Sequence, residues 1–348
     1  MALSELLGID VPIIQAPMAG VQGSAMCIAV SNAGGLGSLP CALLSLDAMR
    51  VELSTIGAET TKPFNVNFFC HTPPVPDPAR EARWRARLAP YFLELGIDPD
   101  SIPAGSARMP FSHDAADVLS EFRPPVVSFH FGLPKRDLVH RVRSWGARVM
   151  SSATTVEEAR WLESEGVDIV IAQGADAGGH RGMFLSENLD TQLGTGTLLS
   201  QILEAVSVPV VASGGIADAK AVAEAIARGA AGVQVGTAYL LCPEATTSPV
   251  YRAALTSGDA AHTETTNVFT GRPARGIVNR LMRDLGSISP DAPAFPLAAS
   301  AVAPLRAAAE RLGRGDFSSM WAGTNTRGCK EVPAADLTAE LAAGLRSR

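Results

Sequence analysis

The chain has 348 residues, of which 47% are hydrophobic and 18% charged, a balance that supplies a large core and excludes a disordered chain. Its 29 basic and 35 acidic residues give a net charge of -6 with no basic run, which argues against nucleic acid as a partner. There is no long apolar run and no secretory signal, and the five cysteines are widely spaced, so we expect a cytoplasmic protein without membrane spans, disulfides or a zinc site.

Short β-branched stretches alternate with helical stretches along most of the chain, which predicts βαβ units and a parallel sheet. Eight such stretches are candidate strands: Pro12–Pro17, Leu36–Leu39, Phe64–Phe69, Val126–Phe131, Arg148–Ser151, Asp168–Ala172, Val208–Ala212 and Gly232–Val235. Eight strands, the last two followed by glycine turns, favour a closed barrel over an open Rossmann sheet. The predicted fold class is therefore α/β, a (β/α)8 TIM barrel.

Two segments interrupt this alternation. Residues 71–112 are rich in proline and arginine and too long for a βα loop, so they are predicted to form an insertion after strand 3, with a helix over Asp77–Glu94. Residues 243–348, with a helix near Ala299–Leu312, are predicted to form a lobe and closing helices over the barrel mouth. The barrel itself is expected to span residues 1–242.

Small residues are concentrated where the predicted strands end. The active site of such a barrel lies at the carboxyl ends of the strands, so these positions are candidates for chemistry. Ala16, Pro17 and Met18 follow the first strand, Asn67 lies at the third, and the glycine-rich loop Gln173–Gly182 follows the sixth. A flat ring could approach the backbone closely at such residues.

Two glycine turns follow the seventh and eighth strands, at Gly214-Gly215 and Gly236-Thr237, and each is predicted to open a helix. Backbone N–H groups at helix starts attract phosphate, and glycine lets its oxygens come close. A single pair could be only a tight turn, but two on adjacent strands favour a phosphate site. The dinucleotide fingerprint fails, because the Gly34–Gly37 run precedes a strand, so FMN or a sugar phosphate is indicated.

Among the histidines, His180 is the candidate catalytic residue, since it lies between flexible glycines at a strand end. A histidine that caps its loop by hydrogen bonds is the alternative. His130 lies in an apolar strand end and is predicted to be a satisfied core histidine. The others have no flanking constellation and are predicted to lie on the surface or in loops: His71, His113, His140 and His262.

Charged residues near these loops have two readings. Asp176 and Arg181 could pair with each other or orient His180, but adjacent loop charges are usually solvated. Three later arginines could draw in an anionic substrate, although a solvated helix face is the interpretation we favour: Arg272, Arg275 and Arg280.

Several segments together resemble one known family, and they extend over nearly the whole chain: Pro12–Gly20, Val30–Gly37, Phe64–Phe68, Ser128–Gly132, Ala177–Gly182, Gln234–Thr237 and Phe269–Gly276. The chain resembles nitronate monooxygenases, formerly called 2-nitropropane dioxygenases, which are FMN-dependent (β/α)8 barrels. The resemblance implies oxidation of a small anionic nitronate by O2 to a carbonyl compound and nitrite. It leaves monomer and homodimer open.

The resemblance also implies roles for particular residues. It implies His180 as a catalytic base beside the flavin, and no metal. It implies flavin contacts from residues of several loops: Ala16, Pro17, Met18, Asn67, Gln173 and Gly178 around the ring and ribityl chain, and Gly214, Gly215, Gln234, Gly236 and Thr237 around the phosphate.

In one place the sequence departs from the family pattern, because Trp321-Ala322-Gly323 continues with Thr324 where glutamine is usual. Two other functions fit the same loops. One is an FMN-dependent enoyl-acyl-carrier-protein reductase that uses NADH, although Arg181 after His180 looks more like the nitronate oxidisers. The other is a non-redox barrel that binds a sugar phosphate.

Overall fold

A computed structural model of the protein describes residues 2–102 and 108–345. Eight parallel strands form one sheet: β1 Ile13–Gln15, β2 Gly37–Pro40, β3 Phe64–Phe69, β4 Val126–His130, β5 Arg148–Ala153, β6 Ile169–Gln173, β8 Val210–Ser213 and β9 Gly232–Val235. Their order is β1-β9-β8-β6-β5-β4-β3-β2, and a bridge between Ile14 and Leu36 joins the two ends. The predicted (β/α)8 barrel is confirmed, with strand ends that differ from the predicted ones by up to two residues.

Helices cover the outside of the barrel and build a second region. The helices are α1 Leu3–Leu7, α2 Ser24–Asn32, α3 Leu46–Glu59, α4 Pro78–Glu94, α5 His113–Phe122, α6 Arg136–Ser144, α7 Val156–Ser164, α8 Thr195–Ala205, α9 Ala219–Ala227, α10 Pro249–Thr256, α11 Arg280–Leu285, α12 Ala298–Arg311 and α13 Ala334–Ala342. Among the described residues, no helix is long and apolar enough to cross a bilayer.

The barrel interior changes from apolar to polar along its axis. Helix α1 buries Leu3 and Leu7 against the inward side chains of Ile14 and Met150, so the amino end of the barrel is filled by hydrocarbon. Polar side chains follow above this layer, where Asn65 donates through Nδ2 to the hydroxyls of Ser38 at 3.0 Å and Ser128 at 2.9 Å. The polar layer forms the floor of the carboxyl-end mouth.

The insertion and the C-terminal region share a hydrophobic cluster. Trp84, Leu88 and Phe92 on α4 pack against Leu305 on α12 and against Phe317, all of them buried. Burying such aromatic and aliphatic side chains contributes roughly 1.5–3 kcal/mol each. The segments that interrupt the βα alternation are therefore packed on each other.

The last helix packs on the barrel and not on this cluster. Leu337 and Leu341 of α13 are buried in the main core with Val30 of α2 and Val222 of α9. This position is that of the helix that follows the eighth strand in a barrel of this type. We propose that residues 243–333 form an insertion between β9 and α13, in place of a lobe that runs to the C-terminus.

A small antiparallel sheet connects the barrel to this second region. It contains β7 Gly179–His180, β10 Thr263–Thr266 and β11 Ala274–Ile277. Strand β7 belongs to the loop after β6, and His180 pairs with Ala274 of β11. The pairing fixes the backbone of His180 against the second region.

The two glycine turns differ from their prediction. The residues Gly214-Gly215 precede α9 by a further turn, since that helix begins at Ala219 after its N-cap Asp218. The pair Gly236-Thr237 opens a 3-10 helix, Thr237–Leu241, in place of an α-helix. The first turn is therefore separated from α9 by a short loop, and the second leads directly into a short 3-10 helix.

Candidate active site

A cavity of about 420 Å³ lies at the carboxyl end of the barrel. All of the residues predicted for the site line it: Ala16, Pro17, Met18, Asn67, Gln173, Gly178, His180, Gly214, Gly215, Gln234, Gly236 and Thr237. They come from the carboxyl-terminal parts of five barrel strands and from the segments that follow those strands. The barrel topology brings them together because parallel strands end at the same face.

The backbone of His180 is held by two side chains. Its carbonyl oxygen accepts hydrogen bonds from Gln173 Nε2 at 2.9 Å and from His130 Nε2 at 3.0 Å. The other end of the Gln173 amide accepts from the backbone N–H of Gly182 at 2.8 Å. The loop between β6 and β7 is thus closed on itself, which fixes where the His180 ring can lie.

His130 is a satisfied histidine, as predicted, and it also lines the cavity. Because a carbonyl can only accept, Nε2 of His130 carries the proton that it donates to His180, and Nδ1 accepts from the hydroxyl of Ser152 at 2.6 Å. Burial lowers the pKa of His130 to about 4, so the ring is neutral at pH 7. Its role in the fold is to hold His180.

The His180 ring lies in an aromatic surround. Its Nε2 is 2.9 Å from Thr270 Oγ1. Burial, followed by the positive charge of Arg108, holds the pKa of His180 well below its ordinary value of 6.5. The ring is therefore neutral at pH 7 and able to take a proton. Four aromatic rings have centroids within 6.0 Å of its own: Phe69, Phe131, Phe295 and Trp321.

His71 lies in a loop, which is one of the two predicted settings, but it is not at the surface. Its ring is buried and stands edge-on to Phe295, with centroids 4.8 Å apart. Burial and the charge of Arg272 lower the pKa of His71 to about 4. The sequence did not indicate this burial, because Phe295 lies more than two hundred residues further along the chain. The other three, His113, His140 and His262, are exposed as predicted.

The prediction that Asp176 and Arg181 are solvated is wrong. Arg181 is 1% exposed, and its guanidinium donates to the carbonyls of Gly174 and Gln173, each at 2.7 Å. Asp176 accepts from the backbone N–H of Thr195 at 2.7 Å, so it caps α8. The two charges therefore do not form an ion pair, and both stabilise the loop that carries His180.

The three later arginines do not share a helix face. Arg272 places its guanidinium carbon 4.0 Å from the centroid of the Phe131 ring. Arg275 lies on β11 and donates to the carbonyl of Ala175 at 2.9 Å. Of the three, Arg280 alone lies on a helix. The helix-face interpretation is corrected because the first two belong to the small sheet and its connection.

The glycine turns are tight against their neighbours. Gly214 and Gly215 have φ of +124° and +70°, in the left-handed region that favours glycine. A Cβ on Gly214 would lie 2.6 Å from Thr195 Oγ1, and one on Gly236 would lie 3.2 Å from the Ala16 Cβ. A side chain at Gly214 would therefore clash with its neighbours, and one at Gly236 would be tightly confined.

Residues 322–325, called the strap below, join the two turns. Gly323 donates its N–H to Thr237 Oγ1 at 3.0 Å, and Asn325 Nδ2 donates to the carbonyl of Gly215 at 3.2 Å. Thr324 donates its N–H to the carbonyl of Asp176 at 3.0 Å. This is the stretch that departs from the family pattern, and Gly323 and Asn325 line the cavity.

A family model described as nitronate monooxygenase matches residues 1–344. The chain belongs to the nitronate monooxygenase family. A nitronate monooxygenase from Pseudomonas aeruginosa is 43% identical over 346 residues, which cover 99% of this chain and 98% of that relative.

Solved structures agree with the membership in the nitronate monooxygenase family. A nitroalkane oxidase from Streptomyces ansochromogenes has a TM-score of 0.88 and 39% identity, over 99% of this chain and 98% of that one. FabK from Thermotoga maritima is less similar, with a TM-score of 0.74 and 25% identity over 99% of this chain and 95% of its own. Like the rest of the nitronate monooxygenase family, the protein is an oxidoreductase of the oxygenating class.

Several residues of this site were not identified from the sequence. Arg108, Trp321 and Asn325 line the cavity, and Thr270 contacts His180. Thr270 lies in a segment that resembles the family, and Trp321 lies in the segment that departs from the family pattern. This was the only indication in the sequence that the two residues belong to the site. Their roles could not be read from those segments, because the pairing of β7 with β11 brings them to His180.

Proposed function

We propose that the protein oxidises alkyl nitronates with O2 at an FMN bound in the cavity, giving a carbonyl compound and nitrite. The observation that carries the proposal is the position of His180. A neutral histidine lines the same cavity as two glycine turns that suit a phosphate, within an aromatic surround. A proton acceptor and a site for a flavin thus share one cavity.

The cavity residues fit a flavin. Ala16, Pro17 and Gly178 offer little side-chain bulk where a flat ring would lie, and a volume of about 420 Å³ is in the range of cofactor pockets. The left-handed backbone at Gly214 and Gly215 is of the kind that forms anion-binding concavities. We assign the phosphate to these glycines together with Gly236 and Thr237, with Gln234 alongside.

The strap favours FMN over a larger flavin. It ties Gly215 to Thr237 through Asn325 and Gly323, so protein backbone bounds the phosphate end of the cavity. A dinucleotide would need a path past that end. We therefore assign a mononucleotide, which agrees with the missing dinucleotide fingerprint in the sequence.

Two amide side chains are assigned to the ring and ribityl chain. Asn67 donates through Nδ2 to Ser128 Oγ at 2.9 Å, which leaves its carbonyl oxygen to accept from a ligand. The Gln173 amide is engaged with the backbone at both ends, so its remaining N–H is the group that would contact the cofactor. When bound, the flavin supplies the electron-accepting chemistry.

His180 acts on the proton of the substrate. A neutral nitroalkane must lose a proton from its α-carbon before it can be oxidised, and neutral His180 is the acceptor within the cavity. A nitronate is already an anion and needs no such step. Phe69, Phe295 and Trp321 pack around the His180 ring, so the surroundings of the base are apolar.

An anionic substrate is supported by the cations at the cavity. Arg108 and Arg306 both line it, and the guanidinium of Arg108 lies 5.7 Å from the centroid of the Phe295 ring. Arg108 also acts electrostatically on His180. We infer that Arg108 contributes to binding the negative charge of a nitronate.

The experiment that tests this function begins with the bound flavin. Cofactor released by denaturation is identified as FMN or FAD, and the holoenzyme is then assayed for O2 uptake and nitrite formation with ethylnitronate and nitroethane. The proposal expects FMN, and O2 uptake with nitrite release on ethylnitronate. NADH oxidation with an enoyl thioester as acceptor, and no response to ethylnitronate, would assign the enzyme to the reductases. A colourless protein that takes up no FMN would favour a non-redox barrel.

A further inference from the structure

We propose that Thr270 is a positioning residue that fixes which ring nitrogen of His180 accepts the substrate proton. The inference rests on the proposed function, because it concerns the base that acts on nitroalkanes. Thr270 is buried, and it lies on the connection between β10 and β11, outside the barrel strands. Its Oγ1 is 2.9 Å from His180 Nε2.

Both the base role proposed for His180 and the second partner of Thr270 favour one direction of this hydrogen bond. A threonine hydroxyl has one proton, and Thr270 Oγ1 donates to the carbonyl oxygen of Arg272 at 3.4 Å. A carbonyl cannot donate in return. In the arrangement that leaves His180 a base, Oγ1 offers a lone pair to Nε2, and the imidazole N–H at that nitrogen donates to Thr270.

The remaining nitrogen is the base. In a neutral imidazole one nitrogen carries the proton and the other carries the lone pair, so a proton at Nε2 leaves Nδ1 as acceptor. Among the described residues, no group hydrogen-bonds to Nδ1 of His180. The ring lines the cavity, and the Nδ1 lone pair is therefore the one available to a bound nitroalkane.

The support behind Thr270 is rigid. Gly271 donates its N–H to the carbonyl of Asn267 at 2.8 Å, and its φ is +88°. A Cβ on Gly271 would lie 1.9 Å from the carbonyl oxygen of Pro293, so the backbone after Thr270 is pressed against its neighbour. The hydroxyl is thus presented from a fixed backbone. The charged and titratable groups that face His180 are Arg108, His130, Arg272 and His71.

The test compares Thr270→Val, which is similar in shape without a hydroxyl, with Thr270→Ser, which keeps it. Thr266→Val is the matched control, since Thr266 is a buried threonine of the same region whose Oγ1 accepts from the backbone N–H of Val268. Nitrogen-15 NMR of holoenzyme with labelled histidine reports the protonation of each ring nitrogen, with His180→Asn to assign the signals.

The expected NMR result is protonated Nε2 and unprotonated Nδ1 for His180 in the wild type, Thr270→Ser and Thr266→Val, and a mixture of tautomers in Thr270→Val. Turnover of nitroethane by Thr270→Val should fall roughly 10-fold to 100-fold, less than the roughly 10²-fold to 10⁴-fold of a lost general base because the base is still present, while ethylnitronate turnover changes less than about threefold. Thr270→Ser should restore nitroethane turnover.

Two results would overturn the inference. One is a wild-type His180 with its proton on Nδ1, and the other is a Thr270→Val protein with the wild-type tautomer and wild-type nitroethane turnover. The wild-type NMR measurement decides the tautomer even if Thr270→Val fails to fold. It also needs no turnover, so failure of the nitronate function and failure of the Thr270 inference give different results.

Discussion

Gly178 packs so closely against Ala322 that a Cβ on the glycine would lie 2.6 Å from the Ala322 carbonyl carbon. The sequence suggested a different reason for this glycine, namely the approach of a flavin ring. The contact gives it a structural task as well, because the strap cannot reach the turns unless residue 178 lacks a side chain. The strap and the loop that carries His180 are therefore mutually dependent.

Replacement of Gly178 by alanine should displace the strap. We expect Gly178→Ala to lose roughly 1–3 kcal/mol of unfolding free energy, the usual cost of overpacking, and to copurify with less flavin. Denaturant unfolding and the ratio of flavin to protein absorbance measure the two effects. Gly57→Ala is the control, since a Cβ there meets nothing within 4 Å in helix α3. Wild-type stability and flavin content in Gly178→Ala would show that the strap does not depend on this contact.

Removal of the base should separate the two kinds of substrate. We expect His180→Asn to lower nitroethane turnover by roughly 10²-fold to 10⁴-fold, the typical contribution of a general base. Ethylnitronate turnover should be retained much better, because its α-carbon has already lost the proton. Steady-state kinetics with both substrates measure the ratio. An equal loss with both would mean that His180 binds substrate or flavin and is not the base.

The buried histidines make stability sensitive to acid. His71 and His130 have a pKa of about 4 when folded and an ordinary value of 6.5. Between these values the unfolded chain binds protons that the folded chain does not, so stability falls as the pH falls below 6.5, by at most about 1.4 kcal/mol per pH unit for each histidine. Above pH 6.5 these two histidines cause no change of stability with pH.

Urea unfolding between pH 7.5 and 5 measures this dependence, above the range where carboxylates titrate. In a plot of unfolding free energy against pH, a His71→Phe protein should have a slope that is smaller by the contribution of one histidine. His113→Gln, at an exposed position, should show the wild-type slope. A wild-type unfolding free energy that does not change over this interval would mean that the buried rings bind protons as readily as the unfolded chain does.

The charge of Arg108 should affect both binding and the base. Arg108→Met is expected to raise the KM for ethylnitronate roughly 10-fold or more, the value of a charge-assisted hydrogen bond. It should also raise the pKa of His180, since the positive charge of Arg108 lowers it, so the acid limb of nitroethane kcat/KM moves to higher pH. Arg160→Met, on the outer helix α7, is the control. Unchanged KM and an unchanged pH profile would remove Arg108 from the site.

The fold and the membership of the cavity could be predicted because they follow from local pattern. Each strand is a short apolar run followed by a turn, which local sequence indicates. Because parallel strands end at the same face of the barrel, the candidate site residues at the strand ends were expected to lie close together. This is why residues as distant as Met18 and Thr237 were correctly expected near each other.

Long-range pairings were outside what the sequence could supply. The burial of His71 depends on Phe295, and the burial of Arg181 depends on carbonyls that are exposed by the turn after β6. Charge and polarity predict solvent exposure on average, and a buried arginine that bonds three acceptors is an exception set by tertiary structure. The contact between His180 and Thr270 required the pairing of β7 with β11.

The most direct test of the account is the absorption spectrum of the holoenzyme on anaerobic addition of ethylnitronate. The account predicts a flavin spectrum that bleaches with the nitronate and returns when air is admitted, with release of nitrite. A flavin spectrum that is unaffected by nitronate and bleaches with NADH would contradict it and assign the cavity to a reductase.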